Sequence, residues 1–265
     1  MIKFFIFYFF CYLKNKLMIL VNETLFIATT KVNIKYTVMR SLVFYHIISE
    51  VLMKLYIYDH CPFCVRARMI FGFKKIAVEE IILLDSDIET PTKMIGRKMV
   101  PILQKNDGSY LPESLDIVRY IDQLKEPQYA SGEMSTEIDN WYKAVSSTVS
   151  KLVTPRFTES EFPETNTPEA KATYIQRVSK FHGDLDVLRK ETHTLLIELE
   201  PHMDLLDLWL EKRDVNTVDI NDFIIFPVLR SLSIVKEISF STNIHNYMNK
   251  ISKATEINLL FTQAR

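Results

Sequence analysis

Residues 54–73 change period halfway. Lys54-Leu55-Tyr56-Ile57-Tyr58 is rich in β-branched and aromatic residues and reads as a short buried strand. Val65, Met69 and Phe73 recur at a four-residue step, one face of a helix. Between the two runs stands Asp59-His60-Cys61-Pro62-Phe63-Cys64. Pro62 fits the first helical position, where its missing N–H costs nothing. A strand passing straight into a helix calls for a layered α/β unit, and two thiols at the junction mark where its chemistry sits. Cys61 then faces free backbone N–H groups at the positive end of a helix dipole, which favours thiolate over thiol.

A lone Cys-x-x-Cys is also half of a zinc site. A closed structural site needs four ligands, and no second Cys-x-x-Cys or His-x-x-x-His follows, so no metal is expected. Three cysteines are too few for a secreted disulfide framework; Cys61 and Cys64 pair, and Cys11 is left over. A net charge of −1 with both signs mixed leaves no nucleic-acid footprint.

The first 52 residues have a different texture. They hold no Gly, Pro, Asp, Gln or Trp, whereas all five Gly and all ten Pro fall after them. Six Lys/Arg against two Glu give this segment a net charge of +4. Its apolar run from Phe4 to Leu13 is too short to span a bilayer, and no small-residue cleavage pattern follows. Met53 stands immediately before the first well-formed strand. Residues 1–52 are therefore expected to be a leader of doubtful reality, an over-extended reading with Met53 as the true start; the rival is a genuine leader, poorly ordered or membrane-associating.

From Met53 the order is legible. Strand Lys54–Tyr58, a helix from about Pro62 to Lys74 and a second strand over Ile76–Leu84 make a right-handed βαβ unit with parallel strands. Thr90 is the expected N-cap of a short helix that Gly96 stops. A strand opened by Val100-Pro101 runs to Gln104, with Pro101 expected cis, and Asn106-Asp107-Gly108 turns it into an antiparallel partner at 109–111. Ser114 is the expected N-cap of a helix carrying Leu115, Ile117, Val118, Ile121 and Leu124. The order β-α-β-α-β-β-α, with the cysteines after strand one, is thioredoxin-like.

Residues 126–136 read as a linker, and only helical patterns come after it. The spacing predicts helices from about Glu137 to Leu152, stopping near Pro155; from Thr167-Pro168 past Phe181; from Pro201 through Leu210; after an Asp219…Asp222 capping box; and over about Ile244–Ala254. The Trp, Leu and Phe stripes are read as core. The expected class is an α/β thioredoxin-like N-terminal domain (53–125) plus an all-α C-terminal domain (137–265).

Residues 54–71 closely resemble the start of the bacterial glutaredoxin 2 family. So do Glu89-Thr90-Pro91-Thr92, residues 100–105, Pro112-Glu113-Ser114, Pro155-Arg156-Phe157, Phe226-Pro227 and Ile257-Asn258-Leu259-Leu260. The matches run in order from Met53 almost to the C-terminus. Phe63 departs from the family's usual Tyr, and the leader has no counterpart. The resemblance implies a glutathione-transferase-like layout and thiol–disulfide exchange with glutathione as co-substrate, Cys61 as nucleophile and Cys64 as the resolving thiol. It implies that Val100 and Pro101 meet the cysteinyl part of glutathione, Ser114 a carboxylate and Glu113 the ammonium, with Arg66, Arg97 and Lys98 as candidates for the glycine carboxylate. His60 is read as capping the loop rather than moving a proton. The implied partners are glutathione and disulfide-bonded or glutathionylated proteins, with no nucleic acid, no membrane, a monomeric chain and a cytoplasmic setting. The competing readings are a glutathione transferase and an iron–sulfur cluster-binding glutaredoxin.

Overall fold

Two units divide the chain in the computed structural model, 1–52 and 53–265. It describes residues 10–13, 16–21, 24–28, 52–214 and 216–265. In the first unit, β1 (Phe10–Leu13), β2 (Lys16–Val21) and β3 (Thr24–Ala28) form an antiparallel meander in that order. The expected apolar run over 4–13 lies mostly outside the described residues.

In the second unit β4 (Lys54–Ile57) leads to α1 (Pro62–Lys74), β5 (Glu79–Ile82), α2 (Glu89–Ile95), β6 (Ile102–Gln104), β7 (Tyr110–Pro112) and α3 (Ser114–Asp122). The sheet order is β5-β4-β6-β7. β4 and β5 pair in parallel with Leu55 opposite Glu80, as a crossover helix requires, while β6 runs antiparallel to β4 with Tyr56 opposite Ile102. β4 is buried on both faces. Leu55 and Ile57 pack with α1 and α3, whereas Tyr56 and Tyr58 join Leu83 and Ile102 on the other side. This is the thioredoxin-like arrangement.

After it come α4 (Thr136–Glu159), a 3₁₀ turn at Pro163–Thr165, α5 (Pro168–His182), α6 (Leu185–Lys190), α7 (Thr192–Glu211), α8 (Asp222–Leu232) and α9 (Thr242–Thr255). No strand follows β7 among the described residues. Ser135, Thr167 and Ser241 each cap a helix by accepting the N–H three residues on. α8 is buried along its whole length, and its Phe223 and Phe226 reach the core that α1 shares with the sheet. α1 is thereby held between sheet and helices. Gly72 marks where it meets α9: a Cβ there would lie 2.4 Å from the Thr255 carbonyl oxygen.

Local rules misplace several ends. The second strand is only four residues long. Thr90 does not cap α2; its N–H donates to Asp87 Oδ1 at 2.9 Å. Ser114 is the first helical residue of α3, with Glu113 in the cap position. α4 runs through Pro155, because the buried Leu152, Val153, Pro155 and Phe157 continue its core face. α7 starts nine residues before Pro201, which lies on its exposed side while Leu195, Leu199, Met203 and Leu206 face inward. Leu205, Leu208 and Phe181, expected in the core, are exposed. Half of the Asp219…Asp222 box forms: Asp222 Oδ2 accepts the Asp219 N–H at 2.8 Å, but Asp219 takes the N–H of Asn221.

Candidate active site

The two cysteines sit where β4 becomes α1. Cys61 is the N-cap residue of α1, with φ −70° and ψ 120°, and Pro62 opens the helix. A Ser or Asp at an N-cap would accept the orphan N–H groups; here a sulfur has that place. Cys61 is half-buried and Cys64, one turn in, is completely buried. The Cys64 Sγ accepts the Tyr58 N–H at 3.4 Å.

These positions separate the thiols electrostatically. The Cys61 thiol is lowered to about 6. The largest cause is the hydrogen bond from Cys64, which outweighs burial; the His60 charge and the N–H groups of Cys64 and Phe63 add to it. Cys64 is pushed well above the ordinary thiol range, by burial first and then by its partnership with Cys61. One sulfur is stable as an anion and the other as a thiol.

The loop before Cys61 is held from the helical side. Glu164, in the 3₁₀ turn after α4, accepts the His60 backbone N–H at 2.9 Å and lies 2.5 Å from His60 Nδ1. Arg230 of α8 donates to the Asp59 carbonyl at 2.8 Å and to its carboxylate at 3.2 Å. Burial raises the Asp59 carboxyl, but Arg230 and Arg68 outweigh it and hold the group below the usual carboxylate range.

The remaining candidates divide. The Val100–Pro101 bond is cis, and Val100 and Cys61 pack against the same Tyr56/Tyr58 cluster. Glu113 has φ +70°, an uncommon conformation for a side chain with a Cβ, and projects an exposed carboxylate that pairs with Arg97 at 2.8 Å. Ser114 is buried, and its Oγ accepts a long 3.5 Å contact from Arg66. The three cations differ sharply. Arg66 is buried, donates to the Phe223 carbonyl at 2.8 Å and lies over the Phe63 ring at 5.0 Å. Lys98 is bound to buried Asp85. Only Arg97 of the three has a largely exposed guanidinium.

Sequence reasoning passed over three residues near the site: Glu164, Arg230 and Arg177, the last of which reaches Asp85 at 2.5 Å from α5. Arg230 had a readable signal, since a lone Arg in the apolar run 223–232 must be paired if that helix is buried. Glu164 and Arg177 had none.

Among the described residues no group of three or more His, Cys, Asp or Glu is placed to hold a metal, and no helix is long and apolar enough to cross a membrane.

Residues 137–264 match the family model for the C-terminal domain of glutaredoxin 2, and residues 55–128 match that for the N-terminal domain of glutathione S-transferase. The chain is 40% identical over 214 residues to glutaredoxin 2 of Escherichia coli (strain K12), covering 80% of this chain and 100% of that one. The chain belongs to the glutaredoxin 2 family. As a member it is a glutathione-dependent disulfide oxidoreductase. It is also similar to the crystal structure of glutaredoxin 2 from Salmonella typhimurium in complex with glutathione, with 41% identity, a TM-score of 0.76 and coverage of 80% and 99% of the two chains. A glutathione transferase from Phanerochaete chrysosporium shares the fold at 16% identity and a TM-score of 0.63, over 78% of this chain and 98% of that one.

Proposed function

We propose that Cys61 is the attacking sulfur and Cys64 the resolving one, in a groove that takes glutathione between Val100-Pro101 and the start of α3. The observation that carries this reading is the split placement of the thiols: Cys61 is half-buried at a helix N-cap, where its thiol is lowered to about 6, and Cys64 is completely buried one turn in, where its thiol is pushed well above the ordinary range.

With a glutathionylated protein, the Cys61 thiolate attacks the glutathione sulfur. The S–S bond breaks, the protein leaves as a thiolate that takes up a proton, and Cys61 is left joined to glutathione. A glutathione thiolate then attacks that mixed disulfide, releasing glutathione disulfide and the Cys61 thiolate. A low thiol pKa makes Cys61 a good leaving group at this second step.

With a protein disulfide, Cys61 becomes joined to the protein, and Cys64 attacks the Cys61 sulfur and frees the second protein thiol. Cys64 is poised for this order. Burial is the main cause that keeps Cys64 a thiol; the Cys61 anion adds to it, and that added part is relieved once Cys61 is capped in a mixed disulfide. Two glutathiones restore the dithiol.

For glutathione itself, Val100 offers strand-like backbone pairing to the cysteinyl part. Ser114 with the N–H groups opening α3 suits a carboxylate, and Glu113 suits the ammonium. Of the three candidate cations Arg97 suits the glycine carboxylate best, because its pair with Glu113 is exposed and exchanges readily with water, whereas Arg66 and Lys98 are held by the Phe223 carbonyl and buried Asp85. The reading further takes 53–125 as the thioredoxin-like domain, 126–136 as the linker and 137–265 as the helical domain, acting as a monomer on glutathionylated and disulfide-bonded proteins in a reducing compartment such as the cytoplasm.

The test is alkylation of reduced protein across pH, with and without prior glutathione disulfide. Half-maximal labelling of Cys61 near pH 6, blocked by the disulfide, is expected; a Cys61 inert near neutrality overturns the assignment.

A further inference from the structure

His60 is buried in a box of aromatic rings. Tyr58 is stacked with it at 6.1 Å and 9°, Tyr174 meets it nearly edge-on at 4.9 Å, and Phe157 and Phe162 lie at 5.2 and 5.5 Å. The only carboxylate hydrogen-bonded to the ring among the described residues is Glu164, which is itself completely buried. One oxygen, Oε1, receives both the backbone N–H and Nδ1 of His60, while Oε2 has no hydrogen-bond partner.

Such a carboxylate needs a countercharge. A buried anion with one oxygen unpartnered is costly unless a cation adjoins it. Burial raises the Glu164 carboxyl, but its bond to His60 and the His60 charge outweigh that and keep the group below the usual carboxylate range. The other titratable and charged groups facing this pocket are already engaged or neutral. Asp59 is held by Arg68 and Arg230, and Asp85 by Lys98 and Arg177. The Tyr58 and Tyr174 phenols are pushed up by burial, and Cys64 stays a thiol.

We propose that Glu164 is a positioning residue for the nucleophile: through the backbone N–H and Nδ1 of His60 it fixes the loop and the ring that stand beside Cys61, so that a carboxylate from the helical half favours the thiolate. This inference rests on the reading of Cys61 as the attacking sulfur. The Cys61 environment agrees, since after the Cys64 hydrogen bond the His60 charge is the next largest influence favouring the anion.

The test is the pH profile of Cys61 alkylation in the full chain, for the wild type, Glu164→Gln, His60→Asn and the double variant. Gln keeps the volume and an acceptor for the His60 N–H but removes the charge. Each single variant is expected to raise the midpoint by about one pH unit, the size expected for losing one neighbouring charge. The double variant is expected to rise no further than either single, because both act through one group. Additive shifts, or an unmoved midpoint in a folded Glu164→Gln protein, overturn the proposal. Should that variant fail to fold, hydrogen exchange of the wild-type His60 amide decides instead: held by Glu164, it should be protected like the neighbouring strand amides, and a freely exchanging amide overturns the proposal. A wild-type Cys61 that behaves as an ordinary thiol, half-labelled at pH ~8.5, removes the underlying reading; a reactive wild type with an unshifted variant removes only the role of Glu164.

Discussion

Within the α/β half of residues 53–265 and across its border with the helical half, the polar contacts differ in exposure, although Lys74 with Asp122 is a buried pair inside the first. In the first, several ion pairs are solvent-exposed, such as Lys54 with Glu79 and Arg97 with Glu113. The polar contacts that cross from the helical half to the Cys61 region are buried or nearly so: Arg230 with Asp59, Glu164 with His60, and the Phe223 carbonyl with Arg66. The sulfur atoms belong to one half and much of their immediate framing to the other. The helical half therefore frames the two sulfurs without contributing either of them. A buried pair fixes geometry because breaking it strands a charge, whereas an exposed pair exchanges readily with water.

That contrast can be broken at several points. Cys61→Ser should reduce both deglutathionylation and protein-disulfide reduction to the uncatalysed level. Cys64→Ser should spare the first and impair the second, and loss of both in Cys64→Ser would show the sulfurs to act as a unit. Arg230→Ala removes a buried guanidinium held by Asp59 and by the Asn258 carbonyl. It should destabilise the protein by about 3–5 kcal/mol in urea unfolding. Lys54→Ala, in an exposed pair, should cost about 0.5 kcal/mol or less. Comparable losses in the two variants would erase the distinction between the buried contacts that cross the border and the exposed pairs.

Smaller effects sharpen it. Glu113→Gln should raise the KM for glutathione about tenfold, equivalent to one charge-assisted hydrogen bond, with kcat little changed. Protonation of Cys61 gives a linkage effect with a definite sign. Its folded pKa, about 6, lies below the ~8.5 of an ordinary thiol. The stability it contributes is fully present above the higher value and is lost as pH falls through the lower one. Reduced wild type should thus gain stability over Cys61→Ser as pH rises from about 6 to about 8.5, and a difference independent of pH would contradict the Cys61 assignment.

What was legible in the chain depends on how locally each feature is made. The Asn106-Asp107-Gly108 turn closes with Gly108 at φ +82° and the Lys105 N–H on the Ser109 carbonyl, all within five residues. Gly96 ends α2 in the left-handed conformation for an equally local reason. Proline rules failed at Pro155 and Pro201 because burial of one helix face outweighed a single missing N–H. The cap of α3 was misread by one residue, since the strained backbone of Glu113 reflects its surroundings more than its own preference. At the site, the junction of strand, Cys61 and helix could be read from period and proline alone. The commitment of Arg66 and Lys98 to buried partners could not.

The sequence by itself determined the strand–Cys-Pro-Phe-Cys–helix junction, the order of the α/β elements and the helical character of the C-terminal half, because each depends on residues within a few positions of one another. Only the tertiary structure decided which cation remains exposed, which prolines a helix tolerates and which carboxylate stands against His60. Glu164 and His60 are 104 residues apart in the chain and 2.5 Å apart in space. Nothing in the local physics of either residue specifies the other; their pairing arises only when α4 and the turn after it pack against the start of α1.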